Sequence, residues 1–175
     1  MKALLFSLLL AASQVTPRPP ARTPDIHYVP SRQRIADAML QLARVNASDI
    51  VYDLGSGDGR IPIIAAQKYG ARGVGIEIDP RLVAMARENA RDGDVERKVT
   101  FIEGDLFTAD ISVATVVTLY LSNSVNLRLE PKLRRELRAG VRIVSQRFPI
   151  GSWKPDVTSV VDGEQLFMWT VRAAK

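Results

Sequence analysis

The sequence predicts an α/β fold: a mostly parallel, twisted sheet with helices on both faces and an antiparallel hairpin at its end. From about residue 31 to residue 145, short apolar runs alternate with stretches of helical periodicity. Two further strand-like runs then flank Asp162-Gly163, a pair typical of hairpin turns. With 175 residues, 46% of them apolar, the chain is long enough for one domain with its own core.

The first predicted elements are a helix, a strand and a second helix. Ser31 stands where it could cap a helix, because apolar residues recur after it at three- and four-residue spacing, namely Ile35, Met39, Leu42 and Val45. Polar residues 46–49 end that helix, and the apolar run Ile50–Leu54 enters a glycine-rich turn. The next helix covers 61–69, with Pro62 tolerated because it lies in the first turn.

Two further strands and one helix follow Gly70. The second strand is predicted over 73–78, and Pro80 opens a helix that runs to about Arg91. The third strand covers 98–102. The apolar run 113–121 is the fourth strand, as expected of a strand buried on both faces.

The last part of the chain contains one more helix and three strands. Leucines separated by charged residues predict a helix over 127–137, and the fifth strand covers 141–145. The hairpin pairs 157–161 with 166–171.

Composition excludes several kinds of site. The chain has no cysteine, which excludes disulfides, thiolate metal sites and cysteine nucleophiles. His27 is the single histidine, so no metal site is expected. The sequence has no tract of 18 or more apolar residues, so no membrane-spanning helix is predicted. The net charge of +5 favours acidic partners but also suits an ordinary solvated surface.

The N-terminus differs from the rest of the chain. Lys2, an apolar stretch over 3–12 and small residues at 11–13 predict a signal peptide over 1–13, with a disordered or amphipathic tail as the alternative. Residues 14–26 are assigned as a proline-rich linker and 27–175 as the domain. A functional signal would place the protein outside the cytoplasm or at a membrane of a bacterium; without it the protein would be cytoplasmic.

The turn after the first strand is the first candidate site. Its glycines alternate, but a dinucleotide-binding turn would have glycine at position 60, where Arg60 stands. Two carboxylates flank the turn, which suits a cationic ligand better than a pyrophosphate. S-adenosylmethionine (SAM) carries a sulfonium and an ammonium and no phosphate. The candidate cofactor-binding residues here are Asp53, Leu54, Gly55, Ser56, Gly57 and Asp58.

Acidic residues after the second and third strands complete the candidate site. Glu77, followed by Ile78, lies 22 residues after Gly55. At this distance from a glycine-rich turn, an acidic side chain typically accepts hydrogen bonds from the hydroxyls of a ribose. Asp79 is the fallback, although its place before Pro80 is typical of a helix cap. Further along, Asp105 can accept from the adenine amine while Leu106 covers the ring.

These motifs resemble the SAM-binding motifs of Rossmann-like class I methyltransferases. More narrowly, the chain resembles the family of lysine methyltransferases that act on the adenine nucleotide translocase and the ATP synthase c subunit. The similarity rests on segments 28–31, 51–60, 114–121 and 126–133. The resemblance implies SAM as cofactor, a protein lysine as acceptor and a segment from Tyr28 to Ser31 that folds over the cofactor.

The resemblance also places the acceptor beside the segment after strand four, where Tyr120 is the candidate for orienting it. The alternative for Tyr120 is a strand aromatic packed under a helix. The chain departs from the family at Ser122-Asn123, where a leucine–proline pair is expected. It departs again after strand five, with Gln146, Pro149 and Ser152 in place of histidine and acidic residues.

Three functions are compatible with these observations: a protein-lysine methyltransferase, a methyltransferase for a small molecule or RNA, and a SAM-binding module without catalysis. The segment Ser124 to Arg147 has seven basic and two acidic residues and could contact an acidic partner, or could be a solvated face. No DNA substrate is expected, because the chain lacks an Asn/Asp-Pro-Pro-Tyr/Phe sequence after strand four. A monomer is expected.

Overall fold

The computed structural model describes residues 23–173. Its helices are α1 (Gln33–Leu42), α2 (Arg60–Tyr69), α3 (Pro80–Asp92) and α4 (Asn123–Glu136). Its strands are β1 (Ile50–Leu54), β2 (Arg72–Glu77), β3 (Val99–Glu103), β4 (Val116–Leu119), β5 (Arg142–Gln146), β6 (Val157–Val161) and β7 (Glu164–Thr170). They form one sheet in the order β3-β2-β1-β4-β5-β7-β6.

The first five strands are parallel, and β7 runs antiparallel to both β5 and β6. The predicted fold class is therefore confirmed. Because β1 pairs with β2 on one side and with β4 on the other, the strand order reverses at β1. In open α/β sheets a ligand binds beyond the carboxyl ends of the strands at such a switch point.

The core lies on both faces of this sheet. On one face, side chains of β1, β4 and β7 pack with α4, among them Leu54, Leu119, Leu129, Leu133 and Trp169. On the other face, α1 and α2 cover the sheet, and the residues packed there include Ile35, Met39 and Ile64 of the helices and Val144 of β5. Burial on both faces explains why β1 and β4 read as continuous apolar runs rather than alternating ones.

Three local predictions differ from the structure. Ser31 does not cap α1: Arg32 takes that position without a side-chain bond, and the Ser31 hydroxyl donates to Gln146 Oε1 at 2.6 Å. Helix α4 begins four residues before the predicted start, because the Ser122 hydroxyl accepts from the Val125 amide at its N-terminus. Strand β4 is shorter than predicted, since a turn from Ile111 to Ala114 precedes it.

The N-terminal part of the described chain packs against the domain. Asp25 forms an ion pair with Arg128 of α4 at 2.8 Å, and Ile26 contacts the core. Beyond Ser31, Arg32 donates to the Asp162 carbonyl at 3.1 Å and Arg34 pairs with the carboxylate of Asp162 at 3.3 Å. The first residues of the domain are thus joined to the C-terminal hairpin.

The predicted signal peptide over 1–13 and most of the predicted linker lie outside the described residues. Among residues 23–173, no helix has the length and apolar character needed to cross a membrane.

Candidate functional site

A cavity of about 470 Å³ lies at the carboxyl ends of the parallel strands. Its size is in the range of small-molecule sites. The predicted site residues that line it are Tyr28, Asp53, Gly55, Ser56, Asp58, Glu77, Ile78, Asp105, Leu106 and Tyr120. Residues far apart in sequence are therefore brought to one place. Two predicted residues do not line the cavity: Leu54 is fully buried in the core, and Gly57 lies against the ring of Tyr28.

The glycine turn is held from two sides. Gly57 has φ of 54°, in the left-handed region, and a Cβ on it would lie 2.3 Å from a ring carbon of Tyr28. Its amide donates to Glu77 Oε2 at 2.9 Å. Position 57 therefore needs glycine both for its backbone and for the close approach of Tyr28.

The Glu77 carboxylate organises the backbone around it. Besides the Gly57 amide, it accepts from the amides of Ile78 at 2.8 Å and Asp79 at 2.9 Å. An ionised carboxylate has about four acceptor positions, so roughly one is left for a ligand. This leaves room for one ribose hydroxyl rather than the two expected from the sequence. Asp79 caps α3, as its position predicted, by accepting from the amide of Arg81 at 2.9 Å.

Asp53 is a buried carboxyl group at the end of β1. It accepts a hydrogen bond from the Thr118 hydroxyl at 2.7 Å. Burial raises the pKa of Asp53 to about 7, and the nearby charges of Glu77 and Asp58 act in the same direction against the Thr118 hydrogen bond. A cation bound beside Asp53 would offset the cost of ionising it.

Asp58 has a different environment because Arg60 is beside it. Burial alone would raise the pKa of Asp58, but the hydrogen bonds and charge of Arg60 outweigh burial and hold it below the usual value. Arg60 also donates to the Ser31 carbonyl. Sequence reasoning treated Arg60 only as a missing glycine, whereas here it joins the glycine turn to residues 24–31.

Residues 24–31, which we call the strap, line the cavity along their whole length. The strap is fixed at one end by the ion pair between Asp25 and Arg128 and at the other by the two hydrogen bonds of Ser31. Tyr28, in its middle, lies over the glycine turn. The strap thus covers the glycine turn, where the sequence predicts that the cofactor binds.

The far side of the cavity is aromatic. Tyr120, directly after β4, lines it together with Phe148, which follows β5. Their rings are nearly parallel, 17° apart, with centroids separated by 6.4 Å. Phe148 and its neighbour Arg147 were not predicted from the sequence. Glu77 was predicted because it lies at the end of a parallel strand. The same reasoning, applied to the end of β5, could have located Arg147 and Phe148.

The basic segment 124–147 is largely neutralised by ion pairs. Six of its seven cations pair with carboxylates, namely Arg128, Lys132, Arg134, Arg135, Arg142 and Arg147. Two of the arginines also lie over aromatic rings, 4.1 Å from the centroid of Phe107 and 3.8 Å from that of Trp153. These contacts favour the interpretation of this segment as a solvated face over an open patch for an acidic partner.

The chemistry of the cavity fits SAM. Asp53 and Glu77 can accept hydrogen bonds from an ammonium and a ribose hydroxyl, and Asp105 extends the acidic side. The apolar side chains of Ile78 and Leu106 suit the faces of an adenine ring. Within the part of the chain that the structure describes, no group of three or more histidine or acidic side chains could hold a metal ion.

Comparison with known proteins identifies similar chains. The ANTKMT methyltransferase domain matches residues 53–157. A protein-lysine N-methyltransferase from Saccharolobus islandicus (strain REY15A) is 43% identical over 142 residues, covering 80% of this chain and 88% of that protein. The adenine nucleotide translocase lysine N-methyltransferase of Mus musculus is 38% identical over 132 residues, 75% of this chain. The chain spans 57% of the length of the mouse relative.

A solved structure is similar over most of its length. The crystal structure of an RNA methyltransferase from Salinibacter ruber in complex with S-adenosyl-L-homocysteine has a TM-score of 0.83 and 52% sequence identity. The match covers 84% of this chain and 96% of that one.

Proposed function

The chain belongs to the ANTKMT methyltransferase domain family and is a SAM-dependent methyltransferase, and we propose that it methylates the side-chain nitrogen of a protein lysine. The observation that carries this proposal is the similarity to the protein-lysine N-methyltransferase of Saccharolobus islandicus, which extends over most of both chains. The departure from the family pattern at Ser122 also has a structural reason, because Ser122 caps α4.

SAM supplies a methyl group on a sulfonium, which is already a good electrophile. The residues of the cavity then have to hold the donor and acceptor in line and keep water away. In the proposed mechanism the carboxylates of Asp53 and Glu77 would accept hydrogen bonds from the ammonium and ribose of SAM, and the strap would cover the cofactor. Tyr120 orients the acceptor, whose amine must be deprotonated before it attacks.

An RNA acceptor is the second candidate. The observation that favours it is the similar chain from Salinibacter ruber, which is described as an RNA methyltransferase. The ion pairs of segment 124–147 argue against it, because a surface that binds RNA phosphates needs cations available to them.

Labelling can separate the two acceptors. The protein is incubated with tritiated SAM and a cell extract, and the labelled material is divided and treated with protease or with ribonuclease. The proposal predicts label that protease releases and that co-elutes with methylated lysine after acid hydrolysis. Val160→Ala, on the exposed edge strand β6, is the matched control and should label equally. Label released only by ribonuclease would overturn the lysine proposal.

We further propose that residues 1–13 act as an export signal, which would leave the domain outside the cytoplasm or at a membrane. The proposal rests on the charge and apolar pattern of these residues. It conflicts with the cytoplasmic origin of SAM, so the compartment has to be measured directly. Cell fractionation followed by N-terminal sequencing should find a mature chain that begins near residue 14. An intact N-terminus in the cytoplasmic fraction would refute it.

A further inference from the structure

The chain makes a strained turn directly after β5. The amide of Phe148 donates to the carbonyl of Gln146 at 2.7 Å, which closes a γ-turn with Arg147 at its centre. Arg147 has φ of 65°, in the left-handed region. A γ-turn with positive φ at its centre is the rarer and more strained of the two forms. A residue other than glycine keeps such a conformation only where its surroundings enforce it.

Buried hydrogen bonds enforce this turn. The side-chain amide of Asn126, on α4, donates to the Phe148 carbonyl at 2.9 Å. The Ser145 hydroxyl donates to the same carbonyl at 2.6 Å. Both side chains are fully buried, and Arg147 is held from outside by an ion pair with Glu164 at 2.8 Å. Among the described residues, Asn126 Oδ1 has no hydrogen-bond partner, so the amide of Asn126 serves this loop through its nitrogen alone.

The turn determines what faces the cavity. It places the ring of Phe148 beside Tyr120, and both half-buried rings line the side of the cavity formed by β4 and β5. The carboxylates of Asp53 and Glu77 lie at the ends of β1 and β2 instead, and that of Asp105 follows β3. The cavity thus has an acidic half, suited to the cofactor, and an aromatic half.

A lysine side chain carries four methylene groups before its nitrogen, and these need an apolar surface along which to lie. Resting on the proposed lysine acceptor, we propose that Tyr120 and Phe148 form the wall that binds the aliphatic part of the acceptor side chain. Asn126 is a positioning residue that acts through the Phe148 carbonyl. The strained turn is retained because it brings Phe148 to this wall.

Binding measurements test the wall without a known acceptor. The two probes are S-adenosyl-L-homocysteine and a bisubstrate analogue in which the 5′ carbon of adenosine is joined through an amine to a lysine side chain. Calorimetry gives the ratio of their Kd values for each variant. Phe148→Ala should lower the affinity for the analogue about tenfold and leave that for S-adenosyl-L-homocysteine unchanged. Phe148→Tyr keeps the ring and should keep the ratio.

Asn126→Leu, of similar volume, removes the donor to the turn. It should lower the affinity for the analogue severalfold and leave the affinity for S-adenosyl-L-homocysteine unchanged. A substitution at a residue that only supports the fold would change both affinities together. Val160→Ala is the control for the loss of apolar surface elsewhere. An unchanged ratio in both Phe148→Ala and Asn126→Leu would overturn the inference.

The outcome is separable from that of the proposed function. If wild-type protein binds the analogue no more tightly than S-adenosyl-L-homocysteine, the wall does not recognise a lysine side chain and the inference fails. If the analogue binds more tightly and depends on Phe148, but tritium enters only RNA, then the wall exists and the assigned acceptor is wrong.

Discussion

Replacing Asp53 by asparagine is expected to stabilise the folded protein and to weaken its affinity for the cofactor. Asp53 is buried, and burial raises its pKa to about 7 from an ordinary value of 3.8. At pH 8 the folded state therefore contains an ionised carboxylate with one hydrogen bond from Thr118 and two further acidic groups nearby. Asparagine keeps the acceptor for Thr118 and carries no charge.

The magnitude follows from proton linkage. Because the folded pKa lies above the unfolded one, the bound proton stabilises the folded state below pH 4. That contribution is lost as the pH rises to about 7. At about 1.36 kcal/mol per pK unit the loss is at most about 4 kcal/mol. Since the asparagine amide must itself be buried, we expect a net gain for Asp53→Asn of about 1–3 kcal/mol at pH 8. At pH 4.5 the stability of the variant relative to wild type should be about 3 kcal/mol lower than at pH 8, because most of the loss in wild type occurs between these pH values.

Urea unfolding of both proteins at pH 4.5, 6, 7 and 8 measures this difference. The free energy of unfolding of the variant, relative to wild type, should rise across that range. Calorimetry with S-adenosyl-L-homocysteine should show a loss of affinity of about tenfold at pH 8. It should also show that wild-type affinity falls as the pH drops below 7, while that of the variant does not. A stability difference independent of pH, or a variant less stable than wild type at pH 8, would refute this reasoning.

Three further substitutions test the site. Glu77→Gln removes an acceptor of hydrogen bonds from backbone amides. It should lower the free energy of unfolding in urea by about 1–3 kcal/mol and lower the affinity for S-adenosyl-L-homocysteine in calorimetry. Wild-type values for both quantities would contradict the assignment. Gly57→Ala puts a methyl group against the Tyr28 ring at a left-handed position and should lower that affinity in a protein that stays folded by circular dichroism; unchanged affinity would show that the contact is dispensable. Ser31→Ala loses the hydrogen bond to Gln146, which should lower the free energy of unfolding by about 1 kcal/mol and make amide hydrogen exchange in the strap faster. An unchanged exchange rate would contradict this prediction.

Most of the fold could be predicted from local patterns. Ile50–Leu54 and Val157–Val161 have the same limits in sequence and structure, because apolar or β-branched runs there are bounded by polar or glycine turns. The start of α4 was missed because its first turn, from Asn123 to Asn126, has a single apolar residue, Val125, and its cap makes no apolar pattern. Apolar periodicity misses a turn whose residues facing the core include a polar one, as Asn126 does here.

The site divides in the same way. Asp53 and Glu77 could be predicted because the ends of parallel strands meet at one edge, so position along the chain indicates position in space. The hydrogen-bond partner of Ser31 could not be predicted, because Gln146 is 115 residues away and no local sequence pattern marks either residue. The γ-turn at Arg147 also lacks a sequence signature, because contacts with other elements hold it in place.

The strap is tied to Gln146, and the residues just after it to Asp162, both of which come late in the chain. During synthesis the N-terminal part emerges from the ribosome first, and its bonds to Gln146 and Asp162 can form only once β5 and the hairpin of β6 and β7 have followed. The complete set of contacts that holds the strap and the residues after it therefore forms only when nearly the whole chain has been made. A chain that ends before β5 would have the glycine turn and its carboxylates but would lack the bond between the strap and Gln146.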